Sequence, residues 1–285
     1  MEIADAKPLV ARSVASMREH VVAWKHLGER VAVIPTMGSL HGGHLALVMA
    51  AQRDCNRVIV TIFVNPTQFA DDEDLDGYPR GEAEDLMKLR ALKVDLAFVP
   101  DTMQMYPDGF ATKLHVEGLT EVLCGLGRPA HFGGVATIVS KLFIQSQADR
   151  AYFGEKDYQQ FLVVRRMAQD LDIPIKVLPV PTVREPDGLA MSSRNIYLSP
   201  KQRAVAPMLY KVLNRMAERM RNGDSGADAV GWGRAELEKG KFDRIEYLEV
   251  RDSYTLAPIE GDAFGARVFV AAHIGDTRLI DNVAV

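Results

Sequence analysis

Five short segments of this 285-residue chain gather residue types that handle phosphates and small polar acids. The first is Pro35-Thr-Met-Gly-Ser-Leu-His-Gly-Gly-His44. It follows the apolar run Val31-Ala-Val-Ile34 and opens a helical pattern, where free N–H groups and the helix dipole favour an anion. Gly38, Gly42 and Gly43 let backbone come close to a phosphate. His41 and His44, three residues apart, project from one side of the first helical turn and can donate to phosphate oxygens. The glycine spacing matches neither the dinucleotide fingerprint nor the Walker A pattern. A zinc site is the alternative, but no glutamate stands between the histidines and no third ligand is in view.

The second segment, Val64-Asn-Pro-Thr-Gln-Phe69, offers the amides of Asn65 and Gln68, able to orient a small polar substrate. The neighbouring acids Asp71, Asp72, Glu73, Asp74 and Asp76 read as a solvated loop. The third, Arg128-Pro-Ala-His-Phe-Gly-Gly134 with Lys141 beyond it, sets an arginine and a histidine at a helix start, which suits an anion. In the fourth, Phe153-Gly-Glu-Lys-Asp-Tyr-Gln-Gln160, Lys156 is a point charge for a phosphate. Asp157 stands where it can cap the helix, and Gln160 faces the same crevice a turn later. The fifth, Asp187-Gly-Leu-Ala-Met-Ser-Ser-Arg-Asn195, places two hydroxyls before an arginine, a plausible clamp on phosphate oxygens. Each alone also fits a polar turn. Together, with four of them following apolar runs, they point to one phosphate-binding crevice.

The elements that must position these residues alternate along the chain. Val14, Met17, Val21 and Trp24 have helical spacing, and the strand at 31–34 follows. The pattern predicts a helix over 45–55, a buried strand over 58–64, a helix over 82–92 and a strand over 96–99. Beyond a looser stretch come a helix over 135–145, a strand over 151–153, a helix over 158–171 and a strand over 175–180. Continuous apolar strands between amphipathic helices indicate a parallel sheet covered on both faces. Right-handed crossovers then give an α/β, Rossmann-like doubly wound sheet, with ligands at the carboxyl ends of its strands. After Pro179-Val-Pro181 the character changes. Helices over 201–221 and up to 239, then strands near 244–250, 266–274 and 278–280, predict a smaller C-terminal α+β domain. The expected domains are 1–182 and 183–285.

Composition bounds the function. Apolar residues are 47% and charged residues 25% of the chain, ordinary for a globular protein with a sizeable core. A formal net charge of −4 argues against a nucleic-acid binder or a polybasic membrane-surface protein. Cys55 and Cys124 fit no metal or redox spacing, and no apolar run approaches the ~20 residues of a membrane span. The start, Met-Glu-Ile-Ala-Asp-Ala-Lys-Pro, does not read as a secretory signal. A cytoplasmic protein is expected.

These residues resemble the pantothenate synthetase, or pantoate–β-alanine ligase, family. The matching blocks are Pro35-Thr-Met-Gly with His41 and His44, Phe63-Val-Asn-Pro with Gln68-Phe69, and Arg128-Pro with His131-Phe132. Phe153-Gly-Glu-Lys-Asp157 with Gln159-Gln160, Asp187-Gly-Leu-Ala with Ser192-Ser-Arg194, and Gly275-Asp-Thr-Arg-Leu-Ile-Asp-Asn282 complete the series. The resemblance implies ATP-dependent condensation of (R)-pantoate with β-alanine to pantothenate, AMP and diphosphate through a pantoyl adenylate. It also implies Mg²⁺ and a cytoplasmic homodimer on the route to coenzyme A, with no nucleic-acid or membrane partner.

Carried over residue by residue, the resemblance puts ATP against Met37, Gly38, Ser39, Leu40, His41, Gly42, Gly43 and His44. It adds Gly154, Glu155, Lys156, Asp157, Val183, Met191, Ser192, Ser193 and Arg194. His44 matches the catalytic proton donor, with His41, Lys156 and Arg194 assisting. Gln68 and Gln160 match the pantoate-binding glutamines, and Gln68 also meets β-alanine. Cys124 and Thr67 depart from the family's usual glutamate and methionine. The residues name no Mg²⁺ ligand and no base for the β-alanine amine. Three rivals stay open: a nucleotidyltransferase acting on a phosphorylated carrier, an aminoacyl-tRNA synthetase relative and a non-catalytic ATP sensor.

Overall fold

Apolar runs of three to six residues form the inner strands of a six-stranded parallel sheet in the computed structural model, which describes residues 8–69, 79–259 and 264–285. The first half of the chain runs β1 (Leu9–Ala11), α1 (Val14–His26), β2 (Val31–Thr36), α2 (Gly42–Asp54), β3 (Arg57–Ile62), α3 (Glu82–Ala91) and β4 (Leu96–Phe98). Two single turns, α4 (Thr102–Met105) and α5 (Cys124–Gly127), lead to α6 (His131–Ser146), β5 (Arg150–Gly154), α7 (Tyr158–Asp170) and β6 (Lys176–Val180). The strand order is β1-β4-β3-β2-β5-β6, with Val33 of β2 level with Ile59 of β3 and Ala151 of β5. The chain winds outward from β2 to one edge and then from β5 to the other. The crevice between β2 and β5 is therefore the topological switch point, where such sheets bind ligands.

The remainder folds as α8 (Pro200–Val205), α9 (Met208–Arg221), α10 (Gly226–Lys239) and the antiparallel strands β7 (Arg244–Asp252), β8 (Ala266–Ile274) and β9 (Thr277–Ala284). Successive side chains of a strand point to opposite faces, and β8 uses both. Val268, Val270 and Ala272 join the core under α9 and α10, while Phe269 and Ala271 join the core of α6 and α7. One buried strand thus ties the small sheet to the large one.

The structure corrects several sequence-based bounds. The helix expected over 201–221 is two helices, broken at Ala206-Pro207, because proline lacks the N–H that would continue the ladder. Helix α6 begins at His131, four residues before the expected start. Its Gly133-Gly134 reads locally as a loop, yet a Cβ on Gly134 would stand 2.3 Å from the Thr67 carbonyl oxygen, so close packing requires glycine there. The last strand extends over Thr277–Ala284 rather than 278–280, and β1 is an edge strand that the apolar pattern does not reveal.

Candidate active site

A cleft of about 260 Å³ opens at the carboxyl ends of β2, β3, β5 and β6. Met37, His41, Gly43 and His44 line it from the turn after β2, and Gln68 from the turn after β3. Gly154, Lys156, Asp157 and Gln160 line it from the end of β5, and Val183, Met191, Ser192, Ser193 and Arg194 from the segment beyond β6. Arg128 and His131, from the start of α6, form a further wall.

His41 is the N-cap of α2. Its Nδ1 accepts the Gly43 N–H at 3.1 Å, while His44 Nδ1 accepts the His41 N–H at 3.3 Å. The two imidazoles thus satisfy two of the helix-start donors, a capping box built from histidines. An Nδ1 that accepts a hydrogen bond carries no proton, so each neutral ring carries its proton on Nε2. The ring centroids are 4.1 Å apart. Burial, and then the charge of Lys156, pushes His41 down to about 4. Burial, and then His41, pushes His44 down to about 3. At neutral pH the pair is uncharged and offers Nε2–H donors.

The turn before His41 is held from beneath. Gly38 has φ +84° and Ser39 φ +52°, a left-handed path that needs support at the non-glycine residue. Asp85 of α3, buried, accepts the N–H groups of Ser39 at 2.8 Å and Leu40 at 2.7 Å, and Lys88 donates to the Leu40 carbonyl at 2.7 Å. Burial raises the Asp85 carboxyl above its ordinary range despite these two donors. Gly38, Ser39, Leu40 and Gly42, expected against the nucleotide, do not line the cleft, and the N–H groups of Ser39 and Leu40 serve Asp85. A Cβ on Gly42 would stand 2.8 Å from Met191 Sδ, so this glycine admits the segment carrying Arg194.

The Lys156 turn is pinned from the small sheet. Asn282 of β9 donates to the carbonyls of Glu155 at 2.8 Å and Lys156 at 3.0 Å. Glu155 therefore contributes backbone support and stands outside the lining. Lys156 Nζ is 3.4 Å from Asp157 Oδ1. Burial works to raise the Asp157 carboxyl, but the charges of Lys156 and then Arg194 offset it and hold it below its usual range. Asp157 does not cap α7 through its side chain, contrary to the sequence reading; it faces Lys156 instead. Neighbouring Asp281 pairs with Arg184 in a two-pronged contact at 2.6 and 2.9 Å, and the Arg184 guanidinium lies 3.5 Å over the Tyr210 ring. That clamp fixes the start of the segment ending at Arg194.

Gln68 is likewise aimed by a neighbour. The buried Asn65 donates to Gln68 Oε1 at 3.1 Å and to the Gly134 carbonyl at 3.2 Å, and its own oxygen accepts from Tyr106 at 2.7 Å. Asn65, which also lines the cleft, thus braces Gln68. Gln160 and Gln159 both line the cleft, and the Gln159 amide ties down the Leu119 and Val122 carbonyls at 2.8 and 2.7 Å. Lys141 stands over the rings of Phe110 and Tyr106, at 4.7 and 6.0 Å, away from the cleft. The acids Asp71, Asp72, Glu73, Asp74 and Asp76 lie outside the described residues. No signal local to Asp85, Arg184 or Tyr106 marks them as supports, because each works through a partner distant in sequence.

Comparison with known proteins follows this geometry. The sequence profile of the pantoate-beta-alanine ligase family matches residues 9–284. A pantothenate synthetase of Caulobacter vibrioides is 54% identical over 283 residues, 98% of this chain and 99% of that protein. A crystal structure of the Thermus thermophilus pantothenate synthetase superposes with a TM-score of 0.92 at 48% identity, covering 97% of this chain and 99% of that one. A Francisella tularensis pantoate-beta-alanine ligase, solved with a β,γ-ATP ligand and β-alanine, superposes with a TM-score of 0.82 at 30% identity, covering 97% of each chain.

Proposed function

The chain belongs to the pantoate–beta-alanine ligase family, and we propose that its cleft carries out the ATP-dependent condensation of (R)-pantoate with β-alanine through a pantoyl adenylate. The products are (R)-pantothenate, AMP and diphosphate. The observation that carries this assignment is the pairing of two neutral Nε2–H donors, His41 and His44, with Lys156 and Arg194 around one cavity.

The residue roles follow from charge and geometry. A carboxylate is a poor electrophile, so it must first be given a better leaving group. A pantoate carboxylate oxygen attacks the α-phosphorus of ATP, and the bond from that phosphorus to the diphosphate oxygen breaks. Negative charge grows on the leaving diphosphate, and Lys156 and Arg194 face it with fixed positive charge. His44, assisted by His41, donates an Nε2–H to the reacting phosphate oxygens. Donors set in place before reaction lose no reorganisation energy, which is where most of such a rate enhancement arises. Gln68, aimed by Asn65, and Gln160 hold pantoate in line, and Gln68 also meets β-alanine. Val183, Met191, Ser192 and Ser193 enclose the nucleotide, with the residue-by-residue resemblance in their support.

Among the described residues no cluster of three or more His, Cys, Asp or Glu side chains is arranged for a metal ion. That suits Mg²⁺ arriving on the nucleotide's phosphates, since this ion keeps several waters and takes one or two carboxylates. Asp157, which lines the cleft beside Lys156 at 3.4 Å, is the carboxylate that would hold it, since Asp281 is held more closely by Arg184, at 2.6 Å. When bound, the ion neutralises phosphate charge. We assign residues 1–182 to the nucleotide- and pantoate-binding domain and 183–285 to the smaller domain. The working form in this reading is a cytoplasmic homodimer, with the family resemblance in its support.

AMP release, measured with pantoate and β-alanine supplied separately and together, tests the function. Stoichiometric AMP and pantothenate are expected only with both acids and ATP present. Turnover to ADP and phosphate contradicts the assignment.

A further inference from the structure

The main-chain carbonyl of Gly134 sets the polarity of a buried chain of side chains that ends in the cleft. A carbonyl oxygen can only accept, so the Asn65 atom 3.2 Å from it is the amide nitrogen. The Asn65 oxygen then faces the other way. There it accepts from the Tyr106 hydroxyl at 2.7 Å, the Thr67 hydroxyl at 3.0 Å and the Thr67 N–H at 3.4 Å. Burial raises the Tyr106 phenol above its ordinary range, so the hydroxyl keeps the proton it donates. The second hydrogen on the Asn65 nitrogen also needs an acceptor, which identifies the Gln68 atom at 3.1 Å as Oε1. Gln68 Nε2 is left on the far side, 3.0 Å from Met37 Sδ. Met37 takes one of its two hydrogens and leaves the other for a substrate. Asn65 is only 1% and Gln68 8% exposed, so little water competes for these contacts.

We propose that Tyr106 is a positioning residue whose hydroxyl, acting through Asn65, fixes Gln68 as a hydrogen-bond donor toward the acid substrate. The assignment rests on the ligase reading above and deepens it. Tyr106 stands outside the cleft lining, its ring centroid 6.3 Å from Phe63 and 5.1 Å from Phe110. The Gly134 carbonyl dictates which way round the Asn65 amide sits, and Tyr106 makes the shortest contact that holds it there. A reversed Gln68 would turn its oxygen toward the acid, acceptor against acceptor. Held as a donor, it recognises a carboxylate or hydroxyl oxygen. The chain is built from three distant segments, the turn after β3, the turn α4 that ends beside Tyr106, and helix α6. Gly134 lets α6 approach closely enough to complete it, since a Cβ there would meet the Thr67 carbonyl.

The test uses the full-length enzyme and its variants. Exchange of labelled diphosphate into ATP with pantoate alone reads the KM values for pantoate and ATP without β-alanine. Tyr106→Phe keeps the ring and deletes only the hydroxyl. Its KM for pantoate should rise about 3–10-fold, the usual contribution of one hydrogen bond, while that for ATP stays unchanged. A double-mutant cycle traces the route: in an Asn65→Ala background, Tyr106→Phe should add nothing, because the contact it deletes is already gone. Gln68→Glu offers only acceptors at neutral pH and should raise the KM for pantoate beyond that of Gln68→Ala. Additive effects of the Tyr106 and Asn65 changes, or equal rises for pantoate and ATP, would show that Tyr106 only packs against Phe63 and Phe110 and overturn the proposal. So would an unchanged pantoate KM in Tyr106→Phe, or one in Gln68→Glu at or below that of Gln68→Ala. Absence of pantoate-dependent exchange in the wild type is a different result, and sinks the ligase reading and this assignment together.

Discussion

Asn282 donates its side-chain amide to the Lys156 carbonyl at 3.0 Å across 126 residues of chain. The last strand of the small sheet therefore sets the height of the lysine turn in the large one. The same side chain accepts from Arg267, whose guanidinium stacks 3.8 Å over the Tyr158 ring at the start of α7. Asn282→Leu strands two carbonyls and one guanidinium in a buried site, at a cost of about 1–3 kcal/mol. Urea unfolding should show that loss. Adenylation should also slow, by up to about 10²-fold if the lysine shifts by an ångström. Wild-type rates in a destabilised variant would separate the strand from the site.

His44→Ala should lower adenylation ~10²–10³-fold, the usual effect of deleting one preorganised donor. Lys156→Ala should lose at least as much, because phosphate charge is left without its counterpart. Both measurements need a folded protein, checked by circular dichroism and a thermal melt. A folded His44→Ala enzyme that turns over normally would remove this residue from the chemistry.

The two histidines also predict how stability depends on pH. Both titrate lower in the folded state, near 4 and 3, than in the unfolded chain near 6.5. Below pH 6.5 the unfolded state therefore binds more protons, so stability is fully present above that pH and declines as pH falls toward the folded values. Denaturant titrations at pH 5 and pH 7 should show a larger loss in the wild type than in the double variant His41→Asn, His44→Asn. An identical difference in both proteins would mean that the rings are protonated in the cleft.

Gln160→Ala should raise the KM for pantoate and leave that for ATP nearly unchanged, since an amide can fix a hydroxyl or carboxylate but adds little to a triphosphate. Asn65→Ala should reproduce part of the Gln68→Ala effect by releasing Gln68 Oε1 from its 3.1 Å contact. Steady-state titrations of each substrate decide both. A shift confined to ATP would reassign the glutamines.

The large sheet was legible because its strands are continuous apolar runs buried on both sides, as at Val31–Ile34. Short edge strand β1 was not, since Leu9 and Val10 remain exposed and leave no burial signal. Chemistry-bearing residues on turns, such as His44, Lys156 and Arg194, were legible because glycine, charge and strand end coincide locally. Their supports were hidden. Asp85 resembles any acid in the first turn of a helix until Ser39 and Leu40 fold onto it. Asp157 looked like a cap because residue type and position suit one, but Lys156 competes for its carboxylate. The bracing role of Asn65 was hidden as well, because Gly134 and Tyr106 reach it only through tertiary packing.

Exchange of labelled diphosphate into ATP, with pantoate present and β-alanine absent, tests the central claim most directly. Donors and cations suited to a triphosphate line the cleft, and among the described residues that line it no side chain is arranged as a nucleophile beside a base. The acyl group should therefore reside on AMP. Label should appear in ATP with pantoate alone and vanish in Lys156→Ala. Exchange that strictly requires β-alanine, or release of inorganic phosphate with ADP, would contradict the adenylate and point to a concerted or acyl-phosphate route.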